Sequence, residues 1–249
     1  MTVHQELDDH ILVVRIDRPA KRNAIDGATA RGIDAALNRL DDDPNVWVGV
    51  LTGAADLFSA GTDLVDWQGA KTDRGGEYGM IRRRRRKPLI AAVEGVAFGG
   101  GFEIALACDI IVAARNARFG LPETRRGLIA SSGALFRASR ALPPHVATDL
   151  LISGAELSGE RAYSLGLASR LAEPGQALGL AVEVARQICL SSPFAVQTSL
   201  QALAVQLEAA DEKGWDATER AVEAIMTAQD KEEGIAAFLE KRPPVWRGR

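Results

Sequence analysis

Hydrophobic and polar positions follow two different rhythms along this chain. Ile11–Ile16 (ILVVRI) is a compact run rich in β-branched side chains, with Asp8, Asp9 and His10 before it and Asp17, Arg18 and Pro19 after it, and it predicts a strand. Residues 46–51 (VWVGVL) predict another. Between them Ile33, Ala36, Leu37 and Leu40 recur at helical spacing, and the run 41–44 (DDDP) closes the segment. The order strand, helix, strand then repeats. Leu89–Val93 predicts a strand, residues 99–107 open on three glycines and predict a helix, and residues 110–113 predict a further strand. Alternation of this kind argues for an α/β fold with parallel pairing.

After about Ser132 the pattern changes. One strand candidate remains, at 167–171, and amphipathic periodicity predicts helices at 178–190, 194–207, 215–226 and 232–239. The residues before Ile11, with His4 and His10, read as a frayed end. One core domain with a helical extension is expected, because the late helices offer little core of their own.

Composition narrows the function classes. The chain has 249 residues, 47% hydrophobic and 25% charged, with a net charge of −3, so it has ordinary globular composition and lacks the basic excess of a generic nucleic-acid binder. Cys108 and Cys189 sit in apolar runs and read as reduced thiols, with no disulfide framework. The start MTVHQELDDH lacks the basic and apolar regions of an export signal. The apolar stretch 88–114 is interrupted by Glu94, three glycines, Glu103 and Asp109, a poor membrane span. These features predict a soluble, cytoplasmic protein with neither nucleic-acid nor membrane partner. No phosphate-loop or dinucleotide fingerprint occurs, and His4, His10 and His145 have no neighbours at zinc-ligand spacing, so no metal is expected.

Two glycine-bearing segments carry the candidate chemistry: residues 58–64 (FSAGTDL) and 97–103 (AFGGGFE), each following a predicted strand. Glycines at a helix start leave backbone N–H groups directed outward without side chains in the way. Convergence of the Thr62 and Gly100 amides would make a two-donor hole for an enolate or tetrahedral oxyanion. The same glycines also suit tight strand-to-helix packing. Glu103 lies early in the predicted helix and Glu123 follows Pro122 beyond another short strand; two carboxylates beside such a hole divide acid and base work, although each also suits the first turn of a helix. The run 82–87 (RRRRRK) reads either as a solvated helical face or as a landing site for phosphates, with RNA as a third reading.

Taken together, these segments resemble the enoyl-CoA hydratase/isomerase family, the crotonase superfamily. The resemblance runs over nearly the whole chain, through 58–64, 87–95 (KPLIAAVEG), 99–103 continuing to Cys108 and Asp109, 119–123 (FGLPE) with Gly127 and Leu128, and 151–167. It implies a spiral of β-β-α units over residues 1–190 and a helical extension over 191–249 that assembles trimers or pairs of trimers and covers the active site. It implies a lyase of fatty acid metabolism that binds an acyl-CoA thioester and adds water across an enoyl double bond, with coenzyme A as part of the substrate and no other cofactor. Carried over by position, the amides of Thr62 and Gly100 hold the thioester oxygen, Glu103 takes the water's proton and Glu123 protonates the α-carbon. Arg22 and Ala24 line the nucleotide groove, Ala60 and Asp63 lie by the pantetheine arm with Gly61, Leu64 and Gly99 around them, and a Ser131 amide meets the water. Where many hydratases place a proline and a glycine-rich turn after the second glutamate, this chain has 129–133 (IASSG). Residues 66–80, with Trp67, Gln68 and Tyr78, correspond to the variable substrate wall. A double-bond isomerase, which needs only one base, and a CoA-binding homologue without turnover are the alternatives.

Overall fold

The computed structural model describes residues 2–54, 57–66 and 70–248. Trp67 and Gln68 lie outside the described residues. The chain enters through an antiparallel hairpin of β1 (Val3–Asp8) and β2 (Ile11–Ile16), so its first residues are paired strand rather than a frayed end. Alternation alone could not reveal β1, because only Val3 of its six residues is buried. Helix α1 (Gly27–Asp42) follows, opened by Asp26, whose Oδ1 accepts the Thr29 N–H at 2.7 Å. It buries Ile33, Ala36, Leu37 and Leu40, the stripe its spacing predicts.

Strand β3 (Val48–Gly53), the short hairpin of β4 (Lys71–Thr72) and β5 (Gly76–Glu77), β6 (Leu89–Val93) and β7 (Val96–Phe98) come next. They lead into α2 (Gly100–Leu106), β8 (Ile110–Ala114) and β9 (Arg118–Gly120). Then come α3 (Ala134–Ala141), α4 (Pro144–Ser153), β10 (Glu156–Ser158), α5 (Gly159–Ser164) and β11 (Arg170–Ala172). The last helices are α6 (Ala177–Cys189), α7 (Pro193–Met226) and α8 (Gln229–Glu240). The expected strand at 167–171 begins later, at Arg170, after a turn. The helices expected at 194–207 and 215–226 are one continuous helix of 34 residues. Gly214, which separates the two apolar stripes, does not break it, because Phe136 of α3 fills the space beside that glycine.

Two sheets result. The larger has six strands in the order β1-β2-β3-β6-β8-β11, parallel from β2 onward. Every residue of β3 and β6 is buried, as befits central parallel strands covered on both faces. On one face Ala181, Val184 and Ala185 of α6 pack against Val48, Val50, Ile90 and Val112. On the other lie α1 and a smaller sheet ordered β10-β9-β7, whose three-residue strands are too short to announce themselves by periodicity. Consecutive strands step from one sheet to the other, β6 to β7 and β8 to β9. At the first step Glu94 is buried and accepts the Ala177 N–H at 2.8 Å, tying the bend to the start of α6.

The basic run 82–87 is not a helical face, and Arg82, Arg84 and Arg86 are exposed. It lies outside any helix, and five of its six side chains are engaged within the protein. Arg82 pairs with Glu77 and Glu219 and stacks on Trp215, Arg84 pairs with Glu208, and Arg85 takes Asp109 at 2.6 Å. Lys87 Nζ donates to the Asp43 carbonyl at 2.6 Å. Arg83, whose side chain is 1% exposed, joins Asp34 at 2.7 Å and Asp41 at 3.1 Å on α1. The run stitches the chain ahead of β6 to α1 and to α7.

Removing Arg83 leaves the Asp41 carboxylate, itself 4% exposed, buried beside no cation of comparable closeness. Arg83→Gln is therefore expected to lower the unfolding free energy by about 3–5 kcal/mol. Arg86→Gln is expected to stay within about 0.5 kcal/mol. Urea titration of both variants checks the contrast.

Candidate active site

Three short backbone segments lie side by side and end at one place. Ser59 N–H donates to Val96 O at 2.9 Å and Phe98 N–H donates to Ser59 O at 3.0 Å, pairing the 57–60 segment with β7. On the other side β7 pairs in parallel with β9, and Gly99 N–H donates to Gly120 O at 2.9 Å. Each segment then delivers one part of the site: Thr62 after the first, Gly100 and Glu103 after β7, Glu123 after β9.

Gly61 has φ +96, a region that side chains resist. A Cβ placed there would stand 2.7 Å from Phe98 O and 2.9 Å from Gly100 N, so only glycine lets the two strands meet. The Thr62 amide follows one residue after this point of contact with Gly100. Neither N–H has an acceptor among the hydrogen bonds of the described residues. Asn23 and Arg18 brace the loop: Asn23, fully buried at φ +52, donates to Leu57 O at 2.8 Å, and Ser59 Oγ donates to Asn23 O at 2.8 Å.

Glu103 is 2% exposed on the first turn of α2. Its Oε1 accepts the Ser132 N–H at 2.7 Å and the Ala134 N–H at 3.1 Å, the latter at the start of α3. The amides that meet this carboxylate are those of Ser132 and Ala134, and Ser131, the residue whose amide is expected to meet the water, is the exposed residue just before them. Glu123 lies in a single 3-10 turn, Pro122–Arg126, closed by Leu128 N–H donating to Glu123 O at 3.0 Å. Its Oε1 is 3.1 Å from where a Cβ on Gly99 would sit, and its Oε2 is buried with no hydrogen-bond partner among the described residues.

Burial pushes the Glu103 carboxyl well above the ordinary carboxylate range, and the neighbouring Glu123 charge pushes the same way against the two amides. Burial also raises Glu123, opposed by a backbone N–H and by the Arg126 guanidinium. The two carboxyls form a coupled pair that retains a proton above the pH at which a solvated glutamate loses it.

The remaining expected residues divide. Ala24 is buried, and the Arg22 carbonyl accepts the Ala60 N–H at 3.0 Å, while the Arg22 side chain is exposed. Leu64 and Ala60 are half-buried beside them. Asp63 is committed to Arg18 at 2.6 Å, which holds its carboxyl below the usual range against the opposing pull of burial. Tyr78 comes into the site with its hydroxyl 2.7 Å from Thr62 Oγ1, a placement the sequence left undetermined within the substrate wall.

The chain matches the family model described as "Enoyl-CoA hydratase/isomerase" over residues 6–249. It is 38% identical to mevalonyl-coenzyme A hydratase of Aspergillus fumigatus, over 96% of this chain and 92% of that protein. It is likewise 38% identical to carnitinyl-CoA dehydratase of Salmonella arizonae, over 96% of this chain and 95% of that one. The crystal structure of carnitinyl-CoA hydratase from Mycobacterium avium superposes with a TM-score of 0.93 at 36% identity, covering 100% of this chain and 99% of that one. With its paired sheets, its strand-to-strand steps and its C-terminal helices, the chain belongs to the enoyl-CoA hydratase/isomerase family and has the crotonase fold.

Proposed function

We propose that this protein adds water across the α,β double bond of an enoyl-CoA thioester, or removes it in reverse. It is a hydro-lyase, as the hydratase and dehydratase among its relatives indicate. The observation that carries the reading is the buried Glu103 and Glu123 pair beside the Thr62 and Gly100 amides.

In hydration the thioester oxygen accepts both amides, which hold the negative charge as the carbonyl becomes an enolate. Glu103 has its Oε1 fixed as an acceptor by two N–H donors, which favour the carboxylate against the burial that opposes it, and it takes a proton from the attacking water. The water oxygen bonds to Cβ. Glu123, whose Oε2 has no donor facing it, carries the proton and passes it to Cα as the enolate collapses. One water is consumed, and the proton that Glu103 gains balances the one that Glu123 gives up. Carnitinyl-CoA and mevalonyl-CoA thioesters, named by the relatives, join crotonyl-CoA as substrates to test.

The 191–249 extension supports a homotrimer, or a pair of trimers, as the working assembly. Phe194, Leu203 and Val205 of α7 are exposed, and α8 folds over the Glu123 turn, where Phe238 stacks on Arg126 at 4.4 Å.

Loss of the enoyl-thioester absorbance measures the reaction directly. Glu123→Gln and Glu103→Gln are each expected to lower kcat by about 10²–10⁴. The double variant is expected to fall little further, because the pair acts as a unit. Full activity in Glu103→Gln with none in Glu123→Gln would instead indicate a single-base isomerase.

The same carboxyls make stability fall with pH. Their folded-state values are raised, so between the ordinary 4.5 and those values the native state holds protons that the unfolded chain has released. The wild type therefore loses stability as pH rises through that window. Melting curves at about pH 5 and about pH 9 are expected to show Glu103→Gln and Glu123→Gln gaining on the wild type at the higher pH.

A further inference from the structure

Tyr78 is a titratable side chain against the Thr62 and Gly100 segments that the hydration scheme leaves without a role. It follows the β4–β5 hairpin in the left-handed region, with φ +55, a conformation that bulky side chains avoid and that the surroundings must enforce. Its N–H donates to Ala70 O at 2.6 Å, and the hairpin is tied to α1 by Thr72 Oγ1 donating to Asp34 Oδ1 at 2.8 Å. The ring is 7% exposed. It lies directly on Gly100, where a Cβ would stand 2.5 Å from the phenol oxygen and 2.6 Å from Cζ. The hydroxyl is 2.7 Å from Thr62 Oγ1 and within electrostatic reach of Glu103, Glu123 and the Ser132 hydroxyl. Burial and the two carboxylates push the phenol upward from its ordinary range, so it stays neutral and protonated wherever the protein is folded.

The ring stands against Gly100 and Thr62 and beside the Glu103 and Glu123 carboxyls, so it borders the space that an acyl group held by those amides and carboxyls would use. With Thr62 Oγ1 as the donor to the phenol oxygen, one of the two directions the 2.7 Å contact allows, the phenol hydrogen is left for the Ser132 hydroxyl or for a ligand. A buried donor of this kind favours ligands that offer it an acceptor over analogues that do not.

We propose, resting on the hydratase reading of this site, that Tyr78 sets its acyl specificity. Its ring keeps the acyl pocket short, and its hydroxyl donates to an oxygen carried beyond Cβ, so the preferred substrates are short oxygenated acyl-CoA thioesters rather than long plain fatty-acyl ones.

Calorimetric binding of saturated thioesters tests this without turnover, using butyryl-CoA, 4-hydroxybutyryl-CoA and decanoyl-CoA with the wild type, Tyr78→Phe and Tyr78→Ala. Wild type is expected to bind 4-hydroxybutyryl-CoA about three- to tenfold more tightly than butyryl-CoA, and Tyr78→Phe to erase that ratio. Tyr78→Ala is expected to gain affinity for decanoyl-CoA. The ratio within each variant is the readout, so a general loss of stability does not imitate it. An unchanged ratio in Tyr78→Phe, or decanoyl-CoA binding wild type as tightly as Tyr78→Ala, overturns the specificity role while leaving the hydratase reading intact. Folded protein that binds none of the thioesters overturns both.

Discussion

The lateral backbone pairing of the 57–60 segment, β7 and β9 is the constraint on which the site depends. Parallel neighbours advance in step, so their ends emerge together, and whatever follows each end is gathered at one place. Here the followers are an amide, an amide with a carboxylate, and a second carboxylate. The larger sheet takes no direct part in the chemistry but fixes the register, since β6 and β8 lead straight into β7 and β9. Gly61 and Gly99 are the points where this gathering would fail for steric reasons, at φ +96 and φ +53. A side chain at either position would meet the neighbouring segment or the Glu123 carboxyl.

Gathering two carboxyls in a buried place works against folding and in favour of proton transfer. A charged carboxylate loses its hydration there, and a second one adds repulsion, so the pair gives up its last proton reluctantly. The structure offsets this unevenly. Glu103 receives two backbone donors, from Ser132 and Ala134, whereas Glu123 has a single backbone N–H, the Arg126 charge and, among the described residues, an unbonded Oε2. That asymmetry is what assigns base and acid in the proposed reaction. By contrast, two arginines that are largely buried serve cohesion: Arg18 joins Asp63 and Asp26 beneath the oxyanion loop, and Arg83 joins α1 to the chain before β6.

Much of this was legible in the residues themselves. The strands at Ile11–Ile16 and Leu89–Val93 and the stripe of α1 follow from burial alone, because a long element buried on a face must repeat on that face. The glycines and glutamates of the site were legible because each carries a distinct chemical demand. What escaped reading has physical causes too. β7, β9 and β10 are three residues long, shorter than any period can register. The run 82–87 reads as exposed charge because its partners, Asp34, Asp41, Asp109, Glu208 and Glu219, are remote in sequence. The Ser132 and Ala134 amides meet Glu103 because Gly133, at φ +102, turns the chain into α3, a backbone placement that side-chain types do not reveal. Tyr78 reached the site through a left-handed backbone, which a tyrosine does not advertise.

The central claim is that the two carboxyls and two amides together place hydroxide on one carbon and a proton on the next. Proton NMR of crotonyl-CoA and 4-hydroxycrotonyl-CoA turned over in D₂O tests it most directly. The account predicts a product carrying the new hydroxyl on Cβ and a single deuterium on Cα. Deuterium at Cγ with migration of the double bond, and no hydroxyl at Cβ, would contradict it.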